Sequence, residues 1–165
     1  MTESVRAALR LDEKILDSET GSISCEFRSR SDGNLFALRG ADGAGLELRI
    51  VGSSLVYEAT VPGRWSKLEA EDVRSLDDGR WHSAVVTVSA AGTRLYLDGY
   101  QVFCGTTTAF LKDLPGLSQA VVGQGDSPEV TAFTVHPRVL TAREVLALSK
   151  RAEPLVEVAA NRLSP

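Results

Sequence analysis

The chain has 165 residues, enough for one domain whose core needs no disulfide or metal staple. Apolar residues make up 43% and charged residues 24%, which excludes disordered and collagen-like chains. The formal net charge is −4, so the chain lacks the basic balance with which a nucleic-acid binder neutralises phosphate.

Period-2 alternation dominates the chain up to residue 136. In residues 22–28, Ile23, Cys25 and Phe27 face one way and Glu26 and Arg28 the other. A turn at 31–34 leads into a short apolar strand at 35–39, and Ala41-Asp42-Gly43 turns again. Residues 45–51 put Leu46, Leu48 and Ile50 inward and Glu47 and Arg49 outward. Gly52-Ser53 turns into a strand at 54–61, which Pro62-Gly63 stops. The polar stretch 64–78 reads as a connection holding one short strand. A β-rich run at 80–89 is followed by a strand at 93–97, the hairpin signal Asp98-Gly99 and a return strand at 100–104. Residues 119–122 and 130–135 supply two more strands, and Gly123-Gln124-Gly125-Asp126 reads as a loop. One helix is predicted near 141–149, because Thr141 and Glu144 form a capping box and Leu140, Val145 and Leu148 can share a face. Residues 155–158 are a closing strand or part of a linker.

About ten short strands and one helix predict an all-β antiparallel sandwich or barrel. Its expected core is Ile23, Phe27, Leu46, Leu48, Ile50, Val86, Val88, Leu95, Leu97 and Phe133. Residues 1–152 are read as the sandwich domain and 153–165 as a C-terminal strand or linker. No run approaches the roughly 20 apolar residues of a membrane helix. The first residues lack a basic stretch followed by an apolar one, so no signal peptide is visible. The protein is therefore expected in the cytoplasm if its ends are native, and outside the cell if it is a piece of a longer exported chain.

Cys25, Cys104, His82 and His136 match no zinc spacing, and neither a metal nor another cofactor is expected. The two cysteines read as small buried hydrophobes, with a disulfide open in an exported chain. A Cys/His nucleophile pair is the sharper alternative. No nucleophile elbow, phosphate-cradling loop or dinucleotide fingerprint is present, so no catalytic residue is assigned.

Three motifs in order carry a resemblance. Residues 77–83 read Asp-Asp-Gly-Arg-Trp-His-Ser, a Val-rich strand follows, and 95–99 read Leu-Tyr-Leu-Asp-Gly. With the early strand at 21–28 and the close from Phe133 to Leu148, the chain resembles the laminin G-like and concanavalin A-like lectin superfamily. Within it, residues 45–49 and their spacing to 95–99 are most similar to lectin-like modules beside bacterial sialidase catalytic domains. The resemblance implies a jelly-roll sandwich and a carbohydrate-binding module, accessory to a glycoside hydrolase. The chain departs from the pattern in several places. It has only Asn34 and Asn161, whereas plant-type lectins use an Asn with Asp for sugar and calcium. The calcium ligands of laminin G-like domains find no matching positions. Neither the glucanase carboxylate motif nor the sialidase Asp-box repeat occurs.

The candidate ligand site is Glu26, Arg28, Glu47 and Arg49, with Tyr57 and Tyr96 as aromatic faces. If their strands share the concave sheet, four alternating charges line one surface. Arg28 and Arg49 would then grip the carboxylate of an acidic sugar such as sialic acid, oriented by the two Glu. The competing reading is a solvated face with cross-strand ion pairs. Trp81 could also offer its ring but reads better as core, and His82 reads as a structural hydrogen-bond donor. Two other functions stay open, a protein–protein interaction domain and a small cytoplasmic jelly-roll enzyme acting on a metabolite.

Overall fold

The computed structural model describes residues 11–123 and 127–149. Among them, ten strands pair antiparallel into two five-stranded sheets. The first sheet contains β1 (Gly21–Arg28), β6 (His82–Ser89), β7 (Gly92–Leu97), β8 (Tyr100–Gly105) and β10 (Glu129–His136), in the order β10-β1-β6-β7-β8. The second contains β2 (Gly33–Arg39), β3 (Gly45–Val51), β4 (Ser54–Val61), β5 (Arg64–Ala70) and β9 (Gln119–Val122), in the order β5-β4-β3-β2-β9. Strands β2 to β5 are thus an unbroken meander, while the first sheet joins the two ends of the described chain through the β1–β10 pair. This is the expected antiparallel jelly-roll sandwich.

Alternation decides which side of each strand is buried. Ile23, Phe27, Val86, Val88, Leu95 and Leu97 of the first sheet meet Leu46, Leu48 and Ile50 of the second in one core, each at most 1% exposed. Each such side chain contributes roughly 1.5–3 kcal/mol through burial. Phe133, expected with them, is only partly buried and packs edge-on against Phe36 with ring centroids 5.5 Å apart. Stretch 64–78 is more ordered than its polarity suggests, since residues Arg64–Ala70 form the full edge strand β5. A four-residue helix, α1 (Glu13–Leu16), was not expected; the Asp12 carboxylate caps it by accepting from the Ile15 amide at 2.9 Å.

The predicted C-terminal helix is α2 (Ala142–Leu148), and both bonds of the Thr141–Glu144 capping box form. It packs on the outer face of the first sheet, where Leu140 and Val145 bury Val85 and Tyr96. Leu148 does not join them and is 38% exposed. Residues 155–158 lie outside the described residues.

The resemblance motifs meet in a buried polar network. Asp98 opens the β7–β8 turn with φ 50° and Gly99 continues it with φ 95°, the positive pair that a tight hairpin of this twist requires. Asp98 is fully buried. Its Oδ1 accepts from the Ser83 amide at 2.9 Å, and its Oδ2 accepts from Arg74 Nη1 at 2.9 Å and faces His82 Nδ1 at 2.9 Å. The other ring nitrogen of His82 faces Asp78 Oδ1, also at 2.9 Å. With a carboxylate at each nitrogen, only the imidazolium form satisfies both contacts. Burial alone would lower the His82 pKa, but the hydrogen bonds and charges of Asp98 and Asp78 outweigh it and raise the value. Burial likewise opposes ionisation of Asp78, yet the Arg80 amide and His82 hold its pKa below the ordinary carboxylate value. The expected structural role of His82 is therefore this network.

The packing and the buried charges set the response to substitution and to pH. Leu48→Ala should cost roughly 2–5 kcal/mol in urea denaturation. Tyr57→Phe should leave stability unchanged or raise it by about 1 kcal/mol, because the buried Tyr57 hydroxyl has no hydrogen-bond partner. The His82 contribution is complete below the ordinary imidazole value and is lost as pH rises through the raised folded value. The Asp78 contribution is complete above the ordinary carboxylate value and is lost as pH falls through the depressed one. The network therefore reaches full strength between about pH 4 and 6.5. Denaturation across pH should show stability declining on both sides of that window. His82→Gln should remove the alkaline decline and cost about 3 kcal/mol.

Candidate functional site

The two Glu-x-Arg pairs do not share a surface. Glu26 and Arg28 sit on β1 of the first sheet, Glu47 and Arg49 on β3 of the second. Both pairs point away from the common core, so they occupy opposite sides of the sandwich. Same-face placement within a strand follows from period 2, but which sheet a strand joins depends on long-range pairing. Arg28 pairs with Glu129 at 2.6 Å and stacks over Trp81, 4.9 Å from the ring centroid. Trp81 is thereby half-buried at the surface rather than part of the core.

The two tyrosines offer no ring face to a ligand. Tyr57 alternates with Leu55 and Ala59 on the inner side of β4 and is 0% exposed, and burial pushes its hydroxyl pKa up. Tyr96 points outward but lies under α2 at 4% exposure. Cys25 and Cys104 are both free. Cys25 is buried as expected, and burial pushes its thiol up to about 12, which removes it as a nucleophile. Cys104 is exposed on β8, so it is neither buried nor bridged.

What remains is the outer face of the second sheet. Cross-strand register arranges its side chains in rows: Ala37, Glu47, Glu58 and Lys67 in one, Asn34, Arg49, Val56 and Glu69 in the next. A third row runs Gln119, Arg39, Gly45, Thr60 and Trp65. Gly45 leaves that row without a side chain at its centre, and a pocket of about 300 Å³ opens there among Arg39, Glu47, Glu58, Thr60 and Gln119.

Glu58 organises this face. Its Oε1 accepts from Arg49 Nη1 at 3.0 Å and its Oε2 from the indole Nε1 of Trp65 at 2.6 Å. The Trp65 bond, then Arg49, hold the Glu58 pKa below the ordinary value. Trp65 is 62% exposed, so one edge of its ring is fixed while the rest stands in solvent. Glu47 and Glu58 sit directly opposite each other across β3 and β4, an arrangement that like charges disfavour. Arg49 and Arg39, the latter 4.0 Å from Glu47, supply the compensating charge. A carboxylate held ionised with both oxygens engaged accepts hydrogen bonds and does not donate a proton, unlike the raised-pKa acid of a glycosidase. Trp65 and Glu58 escaped the sequence reading. Trp65 lies in the stretch read as a connection, but its single signal was there: an aromatic in a polar segment just after a strand-ending Pro-Gly.

Among the described residues, no three His, Cys, Asp or Glu side chains converge as a metal site, and no helix is long and apolar enough to cross a membrane.

Comparison with known proteins agrees with this architecture. The Ruminococcus gnavus IT-sialidase CBM40 bound to α2,3-sialyllactose superposes with a TM-score of 0.68 at 14% identity, covering 82% of this chain and 85% of that one. The SAP-like pentraxin of Limulus polyphemus superposes at 0.60 with 13% identity, over 81% of this chain and 70% of that one. The botulinum neurotoxin serotype D binding domain also gives 0.60 at 13% identity, over 81% of this chain and 37% of that one. No curated protein matches the sequence. A family model described as the concanavalin A-like lectin/glucanases superfamily, laminin G type, matches residues 4–146. The chain belongs to that superfamily.

Proposed function

We propose that this domain is a carbohydrate-binding module that takes an acidic glycan on the outer face of its second sheet. The observation that carries this reading is the Trp65–Glu58–Arg49 chain. Glu58 fixes an exposed indole and a guanidinium side by side before any ligand arrives, so their ordering cost is already met. The C–H face of a pyranose stacks on an aromatic ring, and Trp65 offers such a ring in the open. Arg49 spends one nitrogen on Glu58, which leaves its other donors for the carboxylate of a sugar acid. Glu47 and Thr60 border the pocket as partners for hydroxyls. Of the residues named from sequence, this reading retains Glu47 and Arg49, while Glu26 and Arg28 stand on the far side of the sandwich. The likeness in fold to a sialidase module bound to sialyllactose supports the choice of an acidic sugar. A module of this kind serves a glycoside hydrolase by holding it near its substrate, where weak contacts gain through multivalency.

Titration calorimetry with sialyllactose and lactose tests the proposal. The wild type should bind sialyllactose more tightly than lactose. Trp65→Ala and Arg49→Ala should each weaken binding about tenfold or more, as removal of an interface anchor does. Glu58→Ala should weaken binding while changing stability by less than about 1 kcal/mol, because its pairs are partly solvated. Arg28→Ala should change nothing. Absence of glycan binding, or equal binding by the Trp65 and Arg49 variants, overturns the reading.

A further inference from the structure

The opposite side of the sandwich carries a second, differently built recess. It lies between the β7–β8 hairpin and α2, has a volume of about 400 Å³, and is lined by Arg94, Tyr96, Tyr100, Gln101, Arg143 and Leu146. Its shape depends on Gly99. A Cβ there would come 2.8 Å from Leu146 Cδ1 and from Ser149 Oγ, so α2 can seat on the hairpin only because the turn ends in glycine.

Its charge is less compensated than that of the pocket at Gly45, where Glu47 and Glu58 accompany Arg39. Arg28, Arg39, Arg49, Arg64, Arg74 and Arg138 each lie within 4.0 Å of a carboxylate. Arg94 and Arg143 make no such pair among the described residues, and no Asp or Glu lines the recess they share. Two unpaired guanidinium groups on one small recess, in a chain with 22 acidic and 18 basic residues, leave a local positive field that no carboxylate among the described residues neutralises. The remaining wall is apolar or amphipathic: Leu146 is 41% exposed, and Tyr100 is partly open beside it.

We propose that this recess binds a small organic acid, its carboxylate held by Arg94 and Arg143 and its apolar body lying against Leu146 and Tyr100. The volume falls within the range of roughly 300–1,000 Å³ typical of small-molecule sites. A guanidinium donates two parallel hydrogen bonds to a carboxylate, which makes the charged end the specific one. The site is separate from the face assigned to glycans and stands or falls independently of it.

The test is titration of the full chain with hydrocinnamate, hexanoate and glutarate, followed by amide resonances in heteronuclear NMR. Hydrocinnamate or hexanoate should shift the Gly99, Gln101 and Arg143 amides saturably, and glutarate, which lacks an apolar end, should bind more weakly. Hydrocinnamamide, of the same shape without the charge, should not shift them. R94A and R143A should each weaken binding about tenfold. R143K, which keeps the charge but not the fork, should fall between. Both arginines are exposed, and an unchanged denaturation midpoint should show that the variants fold. Failure of all three acids to shift these amides saturably, equal binding of the neutral amide, or unchanged binding by the double variant R94A/R143A overturns the proposal.

Discussion

Asp98 places a carboxylate where no water reaches it, and much of the first sheet is arranged around that fact. Burying such a group costs several kcal/mol unless every lone pair finds a donor. Here three donors come from two separate pieces of chain: the Arg74 side chain from the connection after β5, and the Ser83 amide and the His82 ring from β6. The same residue sets the hairpin turn, and its own amide donates to the Ser83 carbonyl at 2.8 Å. His82 then reaches on to Asp78, and the neighbouring Gly79 amide ties the loop to Ser29 at the end of β1. A single buried acid thus fixes the hairpin, the long connection and the adjoining strand relative to one another. Loss of any one donor would leave the remaining charges buried and uncompensated.

Charge on the second sheet works differently. Its outer-face pairs are partly solvated, and contacts of that kind add little to stability. Glu47 opposite Glu58 is even a mild cost to the sheet. An arrangement that the fold does not need, and pays a little to keep, is more readily understood as a surface shaped for a partner. Trp65 fits the same logic: its indole is oriented but not buried. The Asp98 network thus uses polar chemistry inside to fix the fold, while the second sheet displays it outside.

The strands were legible in the sequence because each buries one side, and alternation in residues 45–51 reports that directly. The hairpin at Asp98-Gly99 and the capping box at Thr141 were legible because a turn or a helix start needs particular local chemistry. The same alternation placed Tyr57 with Leu55 on the inner side of β4, so its burial was readable once its strand-mates were weighed. Tyr96 was not readable in that way. It lies on the outer side of its strand and is covered by α2, a contact between segments far apart in sequence. The separation of the two Glu-x-Arg pairs has the same origin, since nothing within a strand says which sheet it will join. Trp65 was hidden by the polar company of β5, where the charges belong to an exposed edge strand.

The β2–β5 meander gives the proposed binding face an unusual independence. Its central rows come from consecutive strands, whereas the first sheet is sealed by partners as distant as Arg28 and Glu129, 101 positions apart. Contacts of short sequence separation form with little loop-closure entropy, so the meander can assemble before the chain ends meet. Closure of the β1–β10 pair then becomes the slow, topologically demanding step. Substitutions at positions 47, 49, 58 and 65 fall outside both that step and the Asp98 network. Substitutions on the proposed binding face should therefore leave folding rate and stability nearly constant, which would make this sheet the more evolvable half of the domain.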